Sequence, residues 1–249
     1  MATPMTETDL TAILETEGEF VTERLDYWAR ETPDKVFFYY GEDDIALTYA
    51  EFARQTDAIA GNLARLGVVP GDRVSGQTMN MLASALMMFG IWKAGAVYSP
   101  VNFAYGGRLL SYQLNDTKPR LVVTDPQLLP RLNEVAEALD AAPMVAVYLP
   151  DPGRHDHHPD PVRPDARFTV LDWAELTRPA PAPGVEIGFA DPANLIYTSG
   201  TTGPAKGVIQ PHRWMVNYTF GLRAMLGPED VIYNDLPMYH VGGAIANVG

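Results

Sequence analysis

Between residues 73 and 149, short β-prone runs alternate with segments of helical periodicity, and this rhythm constrains the fold more than any other feature. Residues 73–78, 96–100, 121–124 and 145–149 read as strands, with helices at 81–93, 108–115 and 128–139 between them. A strand whose chain returns through a helix pairs parallel with the next one, by a right-handed crossover. The sequence therefore predicts an α/β fold of layered, mainly parallel sheets flanked by helices. The apolar stretch 79–101 fits a buried helix and strand. Asn80, Ser84, Lys93 and several glycines interrupt it too often for a membrane span.

The flanks are less regular. Residues 9–30 read as a helix stopped before Pro33, and 36–40 as a short strand. Thr48-Tyr-Ala-Glu51 is a capping box, so Thr48 is expected to open a helix whose apolar positions are Phe52, Ile59, Leu63 and Leu66. Gly67 supplies the stop. From Pro150 to Gly184 prolines cluster, which disfavours helix interiors and central strands alike. The expected organisation is a first α/β subdomain at 1–150, a connecting segment at 151–184 holding a short strand (168–171) and turn (173–176), and the start of a second subdomain at 185–249. In that last part 194–197 and 208–210 read as strands around a loop at 199–206. Pro211 opens a helix with Trp214, Met215, Tyr218, Leu222 and Met225 on its apolar face, and 231–233 reads as a further strand. Asn247-Val248-Gly249 falls inside what reads as a new helix, so the chain is expected to be a piece of something longer.

Charge narrows the partners. Thirty-one Asp and Glu against 18 Lys and Arg leave a formal net charge of −13, which repels nucleic acid and anionic membrane at long range. A phosphate ligand would have to be held by local backbone N–H groups and a few placed cations. The absence of cysteine excludes disulfides, thiolate metal sites and cysteine catalysis, and fits a reducing compartment. The first ten residues lack a basic patch followed by an apolar run, so no signal peptide is expected and the cytoplasm is.

One segment carries chemistry: Tyr197-Thr-Ser-Gly-Thr-Thr-Gly-Pro-Ala-Lys206-Gly. Its glycines let backbone approach a ligand, Thr198, Ser199, Thr201 and Thr202 add hydroxyl donors, and Lys206 adds one cation. That is the donor set a polyphosphate requires. Following a buried strand, the loop is expected at a strand's carboxyl end, where open α/β sheets bind ligands. It is not the common P-loop, because Lys206 is followed by Gly207 and preceded by Ala205. The decoy 71–78 carries Gln77 where that motif needs lysine, and no dinucleotide fingerprint is present.

The segment resembles the signature loop of the adenylate-forming superfamily, which includes acyl-CoA synthetases, aryl-CoA ligases, luciferases and peptide-synthetase adenylation domains. The resemblance covers essentially the whole chain. Thr48-Tyr-Ala-Glu51, Gly71-Asp-Arg-Val74, Lys93-Ala-Gly-Ala96 with Pro100, and Leu114-Asn-Asp116 look like family landmarks in family order. Leu236-Pro-Met-Tyr-His240 resembles the next block in the form used by CoA ligases, lacking the aspartate of amino-acid-activating domains.

The resemblance implies the N-terminal region of an acyl-CoA synthetase-like large domain. It implies that Thr198, Ser199, Gly200, Thr201, Thr202 and Gly203 wrap the ATP phosphates with Lys206 assisting, and that His240 lies against the acyl group or acyl-AMP. A carboxylic acid would attack the α-phosphorus of ATP with magnesium offsetting phosphate charge, giving acyl-AMP and pyrophosphate, and CoA would then take the acyl group. The family's downstream Thr-Glu block, ribose-binding aspartate and mobile C-terminal lid domain with its lysine are not in these residues. No catalytic side chain and no protein metal ligand is therefore assigned here, and the chain alone is expected to be inactive. Two other readings are a catalytically dead nucleotide- or acyl-binding module and an adenylation domain that loads a carrier protein. The identity of the acid and any homo-oligomer are left open.

Three further groups have plainer expectations. His155-Asp156-His157-His158 lies in the proline-rich stretch and reads as a solvated loop rather than a metal site. His212, at a helix start, is expected to face solvent. Trp92, Trp214, Met79, Met81, Met87 and Met88 read as core.

Overall fold

The computed structural model describes residues 20–157, 162–198, 204–223, 225–227 and 229–244. Helix α1 (Val21–Glu31) precedes an antiparallel hairpin of β1 (Val36–Tyr40) and β2 (Ile45–Thr48). Thr48 then caps α2 (Tyr49–Arg65) as the capping box predicts. Its Oγ1 accepts from the Glu51 N–H at 3.2 Å, and the Glu51 carboxylate accepts from the Thr48 N–H at 2.9 Å. Gly67 leaves the helix at φ +82°, a conformation glycine adopts without strain.

The alternation expected from the sequence follows: β3 (Arg73–Gln77), α3 (Met81–Lys93), β4 (Val97–Pro100), α4 (Gly107–Thr117), β5 (Leu121–Thr124), α5 (Leu129–Val135) and β6 (Met144–Val147). Next come β7 (Thr169–Asp172), α6 (Trp173–Thr177), β8 (Pro192–Thr198), β9 (Lys206–Pro211) and α7 (His212–Arg223). Strands β3 to β9 form one sheet in the order β7-β6-β5-β3-β4-β8-β9. Every neighbouring pair is parallel except β8–β9, which is antiparallel. The sheet is thus mixed at one edge and parallel elsewhere.

Alternation along the strands divides the core into two layers. Val122 and Val145 join Leu110 and Leu114 of α4 and Leu129 and Leu132 of α5, while Val123 and Ala146 join the cluster built on α2 and α3. Helices therefore cover both faces of the sheet. Helix α3 is buried at every residue from Leu82 to Lys93, which explains why it is apolar on all sides apart from Ser84 and Lys93. It lies so close to α2 that a Cβ on Gly90 would come within 2.5 Å of Ile59 Cγ2. Trp92, wholly buried, donates its indole N–H toward the Ala193 carbonyl (3.2 Å) and Asn194 Oδ1 (3.1 Å), tying α3 to β8.

Several sequence expectations change in the structure. The strands on either side of the proline-rich stretch share one sheet, since β8 pairs with β4 through Asn194 and Tyr98. The sheet does not divide where the composition does. The stretch itself is partly laid on α2: Asn62 Nδ2 donates to the carbonyls of Leu176 (2.9 Å) and Arg178 (2.7 Å). A Cβ on Gly61 would sit 2.2 Å from the Pro181 carbonyl oxygen. The turn expected at 173–176 is helix α6, capped by Asp172 and Glu175. Residues 231–233, expected as a strand, have no regular structure; no described strand pairs with them, and Val231 and Tyr233 stand 93% and 85% exposed. The first helix is described only from Val21, and the residues before Phe20 lie outside the described ones.

Candidate nucleotide site

Strands β4 and β8 run parallel, so the segments that follow them emerge at one edge of the sheet, its carboxyl edge. After β8 the chain turns back at once. Thr198 pairs with Lys206 and Tyr197 with Gly207, so the Thr/Ser/Gly run is the connection between two antiparallel strands. Ser199, Gly200, Thr201, Thr202 and Gly203 lie outside the described residues; the structure describes the two ends of the loop, not its tip. At those ends Thr198 and Lys206 are exposed, and the Lys206 ammonium makes no ion pair among the described residues. Gly207 is glycine for a packing reason. A Cβ there would lie 2.7 Å from Leu195 Cδ1 and 3.3 Å from Tyr197 Cζ, so it would push the Tyr197 ring away. Burial, then the hydrogen bond to the Asp116 carboxylate, raises the Tyr197 pKa well above its ordinary value, which keeps the phenol a proton donor.

The 236–240 block comes to the same edge. Tyr239 meets the ring of Phe103, just beyond β4, edge-on at 5.2 Å, while Met238 is buried in the core. Asn234 braces the block, accepting from the Leu236 N–H (3.1 Å) and donating to the Gly243 carbonyl (3.3 Å). His240 is exposed, and its Nδ1 accepts from the Gly242 N–H at 3.1 Å. That bond places the ring proton on Nε2 in the neutral form.

His212 differs from expectation. It is 2% exposed, with its ring edge-on to Phe20 at 5.5 Å and its N–H donating to the Asp191 carbonyl at 3.1 Å. It sits at the far end of the hairpin, about 20 Å along β8 from the loop. Nothing in the local sequence signals that Phe20, itself packed on Phe189, closes over it. Burial pushes its pKa down to about 4, with Asp191 opposing weakly. A base whose folded pKa is depressed leaves the unfolded chain binding more protons, so stability is full above about pH 6.5 and falls toward pH 4. Relative to His212→Phe, the wild type is expected to lose roughly 2 kcal/mol more between pH 7 and pH 5 in urea denaturation. Equal losses in the two proteins would show that this imidazole does not carry the effect.

The residues after Pro150 are not a solvated loop throughout. Asp156 Oδ2 accepts from Asn80 Nδ2 at 2.8 Å, the His155 N–H donates to Asp43 Oδ1 at 2.8 Å, and His155 Nε2 lies 3.2 Å from the Tyr40 hydroxyl. Asp43, His155 and Asp156 bring ligand-type atoms within 4.8 Å of one another. Asp43 is distant in sequence, so this grouping was invisible until the chain folded. His158 lies outside the described residues.

A mainly parallel sheet with helices on both faces, whose β8 and β9 are joined through a hydroxyl- and glycine-rich sequence, describes the first part of an adenylate-forming enzyme. The model of the family described as "AMP-binding enzyme" matches residues 25–248, and the chain belongs to that family. A long-chain-fatty-acid–CoA ligase, FadD13, of Mycobacterium tuberculosis (strain ATCC 25618 / H37Rv) is 29% identical over 211 residues, covering 80% of this chain and 36% of that protein. Vanchrobactin synthetase VabF of Vibrio anguillarum is 31% identical over 192 residues, covering 76% of this chain and 6% of its own length. Among solved structures, apo MbtA of Mycobacterium smegmatis superimposes with a TM-score of 0.74 at 26% identity, covering 98% of this chain and 44% of that one. The chain spans about a third of the curated CoA ligase and fatty acid transport protein relatives it matches, 35% and 33% in two cases. No described helix is long and apolar enough to cross a membrane.

Proposed function

We propose that this chain is the N-terminal part of an ATP-dependent carboxylic acid–CoA ligase. The observation that carries the reading is the Thr198–Lys206 pair, which brings the two ends of the glycine- and hydroxyl-rich run together with an exposed lysine at one of them. In this reading Thr198, Ser199, Gly200, Thr201, Thr202 and Gly203 bind the ATP phosphates through backbone N–H and hydroxyl donors, and Lys206 adds a charge-assisted contact. Magnesium, when bound with ATP, offsets phosphate charge. The carboxylate attacks the α-phosphorus and pyrophosphate leaves; the CoA thiol then attacks the acyl carbon of acyl-AMP, forming the thioester as the acyl–phosphate bond breaks and AMP leaves. These residues position and neutralise rather than supply a nucleophile. His240 borders the acyl group, and the protein works in the cytoplasm, which the lack of cysteine supports.

A second reading, in which the acyl group passes to a carrier protein, draws on the likeness to VabF, a protein so long that the match is 6% of it. Thioester formation with free CoA, against formation only on a phosphopantetheinyl carrier, separates the two. A dead binding module would release no pyrophosphate with any acid. The test is pyrophosphate release with a panel of carboxylic acids, from the full-length protein and from these 249 residues side by side. Turnover is expected from the full-length protein and at most a trace from the shorter chain; robust turnover by the latter would overturn the reading. His240→Ala is expected to shift relative kcat/KM among acids by about tenfold while leaving the KM for ATP within about twofold. An ATP effect as large as the acid effect would remove His240 from the acyl side.

A further inference from the structure

Helix α4 holds both ends of the β8–β9 turn. The Tyr112 hydroxyl donates to the Ala205 carbonyl at 3.0 Å, one residue before Lys206. On the other side, the Tyr197 hydroxyl donates to Asp116 Oδ2 at 2.6 Å and accepts from Thr117 Oγ1 at 3.1 Å, one residue before Thr198. Tyr112 and Asp116 are four residues apart and share one face of the helix.

The helix is itself fixed. Leu110 and Leu114 are buried, and Gln113 Nε2 donates to the Pro100 carbonyl at 3.0 Å. Arg73 reaches from β3 to the terminal carbonyls of α4, donating to Thr117 at 2.8 Å and Lys118 at 3.0 Å.

These contacts are not needed to keep the hairpin in the sheet. Strand β8 is already secured near its start by the Trp92 indole and midway by the bond from Ser99 Oγ to the Leu195 carbonyl. Tyr112 and Asp116 are exposed, so their bonds contribute little to folding. What they add is position at the loop end alone. Asp116 also puts a carboxylate near a loop suited to anions, an arrangement that makes sense where its acceptor oxygen is wanted rather than its charge.

Resting on the nucleotide-loop reading above, we propose that Tyr112 and Asp116 are positioning residues for ATP, clamping the exit and entrance of the loop so that its phosphate donors are preset. The experiment measures steady-state KM for ATP and for the acid, with thermal midpoints, in the full-length protein. Tyr112→Phe and Asp116→Ala are each expected to raise the KM for ATP about three- to tenfold, as the loss of one hydrogen bond would. The KM for the acid should stay within about twofold and the midpoint within about 2 °C. Asp116→Asn keeps an acceptor for Tyr197 and is expected to restore the wild-type KM for ATP. Three results would overturn the proposal: unchanged KM for ATP in both variants, parallel rises in both KM values with a lowered midpoint, or Asp116→Asn behaving like Asp116→Ala. Lys206→Ala is the control. If it weakens ATP use while the clamp variants are silent, only the clamp fails. If it too is silent, the loop assignment itself fails and the clamp with it.

Discussion

Replacing Asp26 and Asp57 together by asparagine is expected to destabilise the chain by about 3–5 kcal/mol, because it strands the ammonium of Lys93. That side chain is 4% exposed, and its Nζ lies 2.6 Å from Asp26 Oδ1 and 2.6 Å from Asp57 Oδ1. The triad joins α1, α2 and α3 around one buried cation. Either carboxylate alone can still compensate part of the charge, so each single variant should cost much less than half of the double one. Lys93→Met should also be milder, since it leaves two carboxylates 44% and 36% exposed, which water can solvate. Urea denaturation with free slopes measures all four. A double variant within about 1 kcal/mol of wild type would mean that water reaches Lys93 and that the triad is not a buried one.

The next largest effect concerns activity. In the full-length protein Lys206→Ala is expected to lower kcat/KM for ATP by about one to two decades, the worth of one charge-assisted contact. The KM for the acid should hardly move, because the ammonium stands at one end of the proposed phosphate loop. Lys206→Arg keeps the charge but not the compact ammonium, and should recover only part of the loss. If kcat/KM for both substrates falls equally, Lys206 acts on the chemical step or on folding rather than on nucleotide phosphate.

The parts of the fold that could be read in advance are those fixed by local patterns. The capping box at Thr48 and Glu51, the largely apolar α3 and the buried β4 and β5 follow from neighbouring residues alone. The misreadings all involve partners distant in sequence. Val231-Ile-Tyr233 has the composition of a strand but no described neighbour to pair with. His212 looked like an exposed helix start until Phe20 closed over it. The proline-rich stretch carries no local sign that Asn194, beyond it, pairs with Tyr98 and extends the same sheet. At the candidate site, the motif displayed the donors, while nothing in it pointed to Tyr112 and Asp116, which meet the loop only through the crossing of α4.

The antiparallel course of β9 has an electrostatic consequence. In common phosphate loops the chain passes from strand to loop straight into a helix, whose positive end then faces the anion. Here a whole strand intervenes, and α7 begins at His212, against Asp191 at the amino edge of the sheet. Its dipole is spent far from the turn. In the proposed reading, neutralising a nucleotide's charge therefore falls to short-range donors and mobile cations, without the dipole of the following helix. Binding governed that way should be unusually sensitive to which divalent ion accompanies the nucleotide and to background salt.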